Sequence, residues 1–121
     1  MITETKIRRV EPNIIVLEIS GRLNLGNSLI TVETSIRHLV EEGARKIVID
    51  LSNLNAIDSS GIGVLVTSSG HIEQNGGQMR IAGARGAVAK ALEMVHLDRI
   101  APLDADVELS CRRLAANSAS V

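Results

Sequence analysis

The chain has 121 residues, a length typical of a single domain that buries one hydrophobic core. Hydrophobic residues make up 45% of it and charged residues 22%, which is typical of a folded rather than a disordered protein. Its net charge of −1 and its lack of Phe, Tyr and Trp argue against nucleic acid as the main partner, because nucleic-acid-binding proteins concentrate positive charge and often stack bases on aromatic rings.

The first part of the chain predicts two strands and a helix. An edge strand is expected at residues 3–9, and a turn at 11–13 leads to an apolar strand at 14–19. Residues 21–27 read as a loop. After it, apolar residues recur at helical spacing up to Gly43, which is expected to end the helix: Leu29, Val32, Ile36, Leu39 and Val40.

The middle of the chain contains the clearest predicted strand, at residues 46–51, which is apolar enough to be covered on both faces. A polar bend then leads to Asp58-Ser59-Ser60-Gly61 and a second amphipathic helix, which ends at residues 75–77. One of Asp58, Ser59 and Ser60 is expected to cap this helix. Its apolar stripe consists of Ile62, Leu65, Val66, Ser69 and Ile72.

The last part predicts a strand at residues 78–82, a third helix, a short strand near 99–102 and a final helix capped by Asp104. The third helix is marked by Val88, Ala91, Leu92 and Val95, and the final helix by Val107, Cys111 and Leu114. Met79 and Met94 are interpreted as core residues. We expect residues 117–121 to fray, which leaves residues 1–116 as the domain.

Strands and helices alternate along the chain, and each connection is long enough to hold a helix. This pattern predicts a single α/β domain. We expect an open, mixed, mostly parallel sheet of four to five strands with about four helices.

The sequence shows no catalytic constellation. A hydrolase nucleophile elbow needs Gly-x-Ser-x-Gly, whereas residues 58–63 read Asp-Ser-Ser-Gly-Ile-Gly. The same glycines lack the third member of a dinucleotide-binding fingerprint, and no P-loop lysine follows them. The three histidines, at positions 38, 71 and 96, lack triad or metal spacing and are expected at or near the surface. We therefore predict neither an enzyme nor a cofactor or metal site.

The single cysteine and the N-terminus favour the cytoplasm. One cysteine excludes an intramolecular disulfide and fits a reducing compartment. Residues 1–5 lack the basic start and apolar stretch of a signal peptide, and no apolar run approaches the ~20 residues that span a bilayer. We expect a cytoplasmic protein with no membrane contact.

Four segments in order resemble a STAS domain and, within that group, an anti-sigma factor antagonist of bacterial partner-switching systems. They are residues 17–23, 46–51, 57–65 and 75–79, and the resemblance covers roughly residues 3–115. Asp-Ser-Ser-Gly between a buried strand and a helix is the most specific part. The resemblance implies the STAS fold and a protein that acts by binding rather than by catalysis.

The same resemblance implies a phosphorylation switch. Unmodified, such a protein binds an anti-sigma factor that is also a serine kinase. That kinase, which binds the ATP and Mg²⁺, phosphorylates the second serine of the motif, here Ser60, and a metal-dependent serine phosphatase removes the phosphate. The residues implied to contact the partner are Asn24, Asp58, Ser59, Ser60, Gly61 and Gly63.

One residue departs from the family pattern. The family often has Asp where this chain has Asn24, and an amide cannot act as the base that an acid would provide there. Two alternatives to the switch stay open. One is a STAS subunit of a stress-signalling or lipid-transport assembly that uses the same surface without a phosphate. The other, a small hydrolase or nucleotide-binding protein, has no catalytic constellation in its favour.

Overall fold

The computed structural model describes residues 3–119, and within that range it has six strands and four α-helices. The strands are β1 (Glu4–Val10), β2 (Ile14–Leu23), β3 (Lys46–Asp50), β4 (Leu54–Ile57), β5 (Gln78–Ala82) and β6 (Leu103–Asp104). The helices are α1 (Asn27–Glu41), α2 (Ser59–Gln74), α3 (Gly86–Met94) and α4 (Val107–Ala119), and Leu97–Arg99 forms a short 3₁₀ helix.

The sheet has the order β1-β2-β3-β5-β6. β1 pairs antiparallel with β2, and the other neighbours are parallel because each crossover carries a helix. β2 is ten residues long and pairs with two parallel strands as well as with β1. It pairs with β3 over residues 14–18 and with β4 over residues 21–23, in parallel both times. The mixed, mostly parallel α/β sheet is therefore confirmed, with one strand more than the highest number expected.

Both faces of the sheet are covered. Successive side chains of β2 point to opposite faces of the sheet. Ile15 and Leu17 pack with α1, α2 and α3 on one face, whereas Ile14 and Val16 pack with α4 on the other. β3 alternates in the same way, and Val48 lies on the α4 face. The prediction that this central strand is covered on both faces is confirmed.

Two short strands were not predicted correctly. The expected polar bend before Asp58 contains β4 (Leu54–Ile57), and the strand predicted at residues 99–102 is instead the end of the 3₁₀ helix and a loop, followed by β6 (Leu103–Asp104). Strands of four and two residues are too short for an alternating pattern to be recognised in sequence.

The predicted cap of α4 is wrong. The side chain of Asp104 is buried and accepts hydrogen bonds from Arg80, Ser110 and Arg113. Asp106 caps the helix, because its Oδ1 accepts the backbone N–H of Leu109 at 2.8 Å.

Met94, expected in the core, and Val95, one of the apolar residues that mark the third helix, are both exposed. Met94 is 74% exposed and Val95 is 51% exposed, whereas Val88 and Leu92 are buried. α3 ends at Met94, and Val95 is its C-cap residue. Met79 is buried as predicted.

Cys111 is half-buried against the apolar cluster that joins α4 to the sheet, in agreement with its interpretation as a packing residue. Burial raises the pKa of its thiol, which makes the thiol less reactive at neutral pH.

α4 continues to Ala119, so the helix includes the first three residues of the segment expected to fray. Residues 120 and 121 of that segment lie outside the described residues. The domain boundary at residue 116 stays a prediction.

Candidate functional site

The Asp-Ser-Ser-Gly segment lies where the end of β2, β4 and the start of α2 meet. β4 pairs in parallel with the last residues of β2, with Leu23 opposite Ile57. Asp58 follows β4 directly, and α2 begins at Ser59. This pairing brings the loop after β2, which begins with Asn24, to the first turn of α2.

Asp58 is the residue that caps α2. One carboxylate oxygen, Oδ1, accepts the backbone N–H of Gly61 at 2.9 Å, and the backbone of Asp58 is extended, as expected for a cap. Of the three candidates that the sequence left open, the structure selects this one. Ser59 and Ser60 are then the first two residues of the helix, and their hydroxyls are not needed for capping.

Asp58 also holds the loop after β2. Its second carboxylate oxygen, Oδ2, accepts the backbone N–H of Leu25 at 3.0 Å, and its own backbone N–H donates to the carbonyl of Leu23 at 3.3 Å. The N–H of Gly61 first, and that of Leu25 second, hold the pKa of Asp58 below its ordinary value of 3.8. The carboxylate is therefore ionised at neutral pH, beside the two serines.

The two glycines of the segment have different surroundings. Gly61 is buried, and a Cβ at this position would lie 2.2 Å from the carbonyl oxygen of Leu23 and 2.8 Å from Cγ1 of Ile57. The absent side chain is what allows α2 to approach the end of β2. Gly63 is exposed, and a Cβ there would meet nothing within 4 Å. Because Gly63 has no side chain, nothing protrudes from the surface at this position beside the serines.

The two serines differ in exposure. Ser59 is exposed and Ser60 is half-buried. Both lie in the first turn of α2, which has no acidic residue of its own. Free backbone N–H groups and the helix dipole favour an anion at this end of a helix, so a phosphate on either serine is compatible with the fold.

The structure brings the sequence-predicted site residues to one end of the sheet. Asp58, Ser59, Ser60, Gly61 and Gly63 are consecutive or nearly so, and Asn24 is the half-buried residue directly before Leu25.

Sequence reasoning missed two large apolar residues at this end. Leu25 is 79% exposed and Ile30, near the start of α1, is 66% exposed. A signal existed for Ile30, because it falls outside the apolar stripe that begins at Leu29 and Val32. An apolar residue off the stripe of an amphipathic helix faces solvent.

In the described part of the chain, no three His, Cys, Asp or Glu side chains are grouped as ligands for a metal ion. His38 and His96 are exposed and His71 is half-buried, as expected. None of the helices between residues 3 and 119 combines the length and the apolar composition needed to cross a membrane.

The description of one protein family, the STAS domain, matches residues 6–110, which include the whole site. This chain belongs to the STAS-domain family. The match includes all of the strands except the first two residues of β1, and it ends within α4.

Three similar proteins illustrate the comparison, and two of them are named anti-sigma factor antagonists. The anti-sigma F factor antagonist of Paenibacillus polymyxa is 29% identical over 90 residues, which is 74% of this chain and 77% of that protein. The crystal structure of an anti-sigma factor antagonist from Mycobacterium paratuberculosis has a TM-score of 0.83 at 20% identity and covers 93% of this chain and 94% of that one. The Bacillus cell-fate determinant SpoIIAA, in its phosphorylated form, has a TM-score of 0.71 at 20% identity, with 91% of this chain and 98% of that one covered. At these identities the structural likeness shows the fold.

Proposed function

We propose that this STAS protein is an anti-sigma factor antagonist that acts by exchanging partners in the cytoplasm. Unmodified, it binds an anti-sigma factor that is also a serine kinase, and so frees the sigma factor. The kinase binds ATP and Mg²⁺ and phosphorylates Ser60, which releases the antagonist. A metal-dependent serine phosphatase restores the unmodified form.

The observation that carries the proposal is the position of Ser60 in the first turn of α2. Its hydroxyl lies on the second helical residue, after the capping Asp58, and the neighbouring Ser59 and Gly63 are exposed and small. Small neighbours allow the active site of a kinase to approach the hydroxyl closely. The names of the relatives support the class of function.

Electrostatics gives the reason why a phosphate on Ser60 would weaken binding without unfolding the protein. A phosphate carries about −1.5 to −2 charges, which the N-terminus of α2 tolerates. In a contact with a partner the same charge must be desolvated, and the ionised carboxylate of Asp58 lies beside it. Like charges held together at an interface favour dissociation.

Asn24 belongs to the proposed contact surface. It follows β2 directly, and the next residue, Leu25, donates its backbone N–H to Asp58. Because an amide cannot take a proton from the Ser60 hydroxyl, the kinase must supply that base itself.

The switch is tested with purified anti-sigma factor kinases of the source organism, assayed one by one. We expect one of them to bind the unmodified protein in isothermal titration calorimetry and, with ATP and Mg²⁺, to add one phosphate that mass spectrometry locates on Ser60. Ser60→Ala should bind and remain unphosphorylated. Ser60→Asp should bind at least about tenfold more weakly, while its circular dichroism melt stays within about 3 °C of wild type.

Ser59→Ala is the matched control, because it removes the adjacent hydroxyl and should still bind and be phosphorylated. A phosphate located on Ser59, or a Ser60→Asp variant that binds as tightly as wild type, would contradict the proposal. Stable co-purification with subunits of a larger assembly, with no phosphorylated form in cells, would favour the STAS subunit without a switch.

A further inference from the structure

Two exposed apolar side chains lie at the same end of the molecule as Ser60. Leu25 is 79% exposed, and its backbone N–H is held by the carboxylate of Asp58, two residues before Ser60. Ile30 is 66% exposed and lies near the start of α1, which begins two residues after Leu25. Leucine and isoleucine gain free energy when they leave water, so their exposure at one place favours a contact surface.

Ile30 also lies on the face of α1 that lines a small cavity against α2. A cavity of about 90 Å³ separates these helices and is lined by Glu33, Ile36, Arg37, Thr67, Ser68 and His71. Ile30 precedes Glu33 and Arg37 by three and seven residues, so it shares their face of α1. Ser60 precedes Thr67 by seven residues and shares its face of α2 in the same way. Ile30 and Ser60 therefore lie nearer the N-terminal ends of the two helices, each on the helix face that lines the cavity.

We propose that Leu25 and Ile30 are the apolar anchors by which the unphosphorylated protein docks on the anti-sigma factor kinase. The inference rests on the proposed function and names the contact that brings Ser60 to the kinase. Asp58 acts as a positioning residue, since it fixes the backbone of Leu25 and the start of α2 with its two carboxylate oxygens. The partner must then present an apolar patch beside its ATP site.

The position of Ser60 decides between the kinase and a second copy of this chain as the occupant. A symmetric dimer formed over Leu25 and Ile30 would cover the neighbouring Ser60 and keep a kinase from it. A kinase that docks on Leu25 and Ile30 instead contacts the Ser60 hydroxyl that it phosphorylates. A phosphate on Ser60 then places its charge beside the apolar contact, where desolvation is most costly.

The test compares Leu25→Ser and Ile30→Ser with Met94→Ser. Met94 is 74% exposed, nearly as much as Leu25, but it lies in the last turn of α3. The chain after it reaches α2 at Ser69, whose hydroxyl donates to the carbonyl of Ile100. Ser69 is on nearly the opposite side of α2 from Thr67 and His71, so the segment that follows α3 contacts the flank of α2 away from the cavity.

Each variant is titrated with the purified kinase that binds wild type, and the initial rate of Ser60 phosphorylation is measured over a range of antagonist concentrations. We expect Leu25→Ser to weaken binding about tenfold or more and Ile30→Ser about threefold or more. In the kinetic assay, both substitutions should raise KM and leave kcat unchanged. Met94→Ser should bind as wild type. All three should melt within about 3 °C of wild type, because the replaced side chains are exposed.

Two results would overturn the inference while the proposed function stands. Leu25→Ser and Ile30→Ser could both bind like wild type, or Met94→Ser could weaken binding as much as they do. A wild-type dimer in analytical ultracentrifugation that Leu25→Ser dissociates would assign the surface to a second copy. Failure of the wild-type protein to bind any of the kinases would overturn the proposed function and this inference together.

Discussion

At the scale of single residues, Gly61 and Gly63 lie two positions apart and contribute differently to the site. The carbonyl of Leu23 occupies the space where a side chain at Gly61 would lie, whereas Gly63 faces open space. Gly61 is therefore needed for the fold and Gly63 only for the shape of the surface.

We predict that Gly61→Ala destabilises the protein by about 1 to 3 kcal/mol, because the start of α2 must move away from the end of β2. Gly63→Ala is the matched control and should be neutral or stabilising by up to about 1 kcal/mol, since alanine favours a helix. Urea denaturation followed by circular dichroism measures both, as the chain has no Trp or Tyr. Equal stability of Gly61→Ala and wild type would show that the contact at Leu23 is not tight.

At the scale of secondary-structure elements, Asp104 joins β5, β6 and α4. Its carboxylate accepts from Nε and Nη2 of Arg80 at 2.7 and 3.1 Å, from Nη1 of Arg113 at 2.6 Å and from the hydroxyl of Ser110 at 2.5 Å. Burial alone would raise the pKa of Asp104. The hydrogen bonds from Arg80, Ser110 and Arg113 outweigh it and hold that pKa below the ordinary value of 3.8. The carboxylate thus stabilises the fold in its ionised form.

We predict that Asp104→Asn lowers the free energy of unfolding by about 2 to 4 kcal/mol at pH 7, because it leaves the largely buried Arg80 without its counter-charge. Since the pKa of Asp104 is lowered on folding, its contribution is present above about pH 4 and is lost as pH falls through the folded-state pKa. The difference between variant and wild type should therefore shrink in acid.

Asp98→Asn provides the control for that measurement, because Asp98 is exposed in the 3₁₀ helix and carries the same charge. Urea titrations at pH 7 and pH 3 measure both variants. A stability difference for Asp104→Asn that does not change with pH would contradict the assigned role of the carboxylate.

At the scale of the whole molecule, a three-helix layer covers one face of the sheet and α4 alone covers the other. Leu114 is fully buried in the α4 layer, whereas Ala115 and Ala116 are exposed. Among the residues of α4 whose burial is described, Leu114 is the last one buried on this face, and residues 1–116 remain our predicted domain.

We predict that a chain ending at Ala116 melts within about 3 °C of the full chain in circular dichroism. A chain ending at Ser110 is the comparison, since it lacks Leu114 and Arg113, and it should lose about 2 to 5 kcal/mol or fail to fold. A large loss of stability in the chain ending at Ala116 would move the domain boundary toward the C-terminus.

The elements that the sequence determined by itself are those with a long regular pattern. Five apolar residues at helical spacing predicted α1, and the apolar run of β3 predicted a strand covered on both faces. The start of α2 was also predictable, because capping depends on residues within three positions of each other. Periodicity and capping are local properties of the backbone, so they can be recognised without knowing which segments meet.

The tertiary structure alone decided the features that depend on which segments are neighbours. β4 is a strand because the end of β2 lies beside it, and Asp104 is an ion-pair partner rather than a cap because β5 brings Arg80 to it. Met94 and Leu25 are exposed, which their identity as apolar residues does not reveal. A buried charge or an uncovered apolar side chain is a property of the space around the residue, and folding creates that space from segments far apart in the chain.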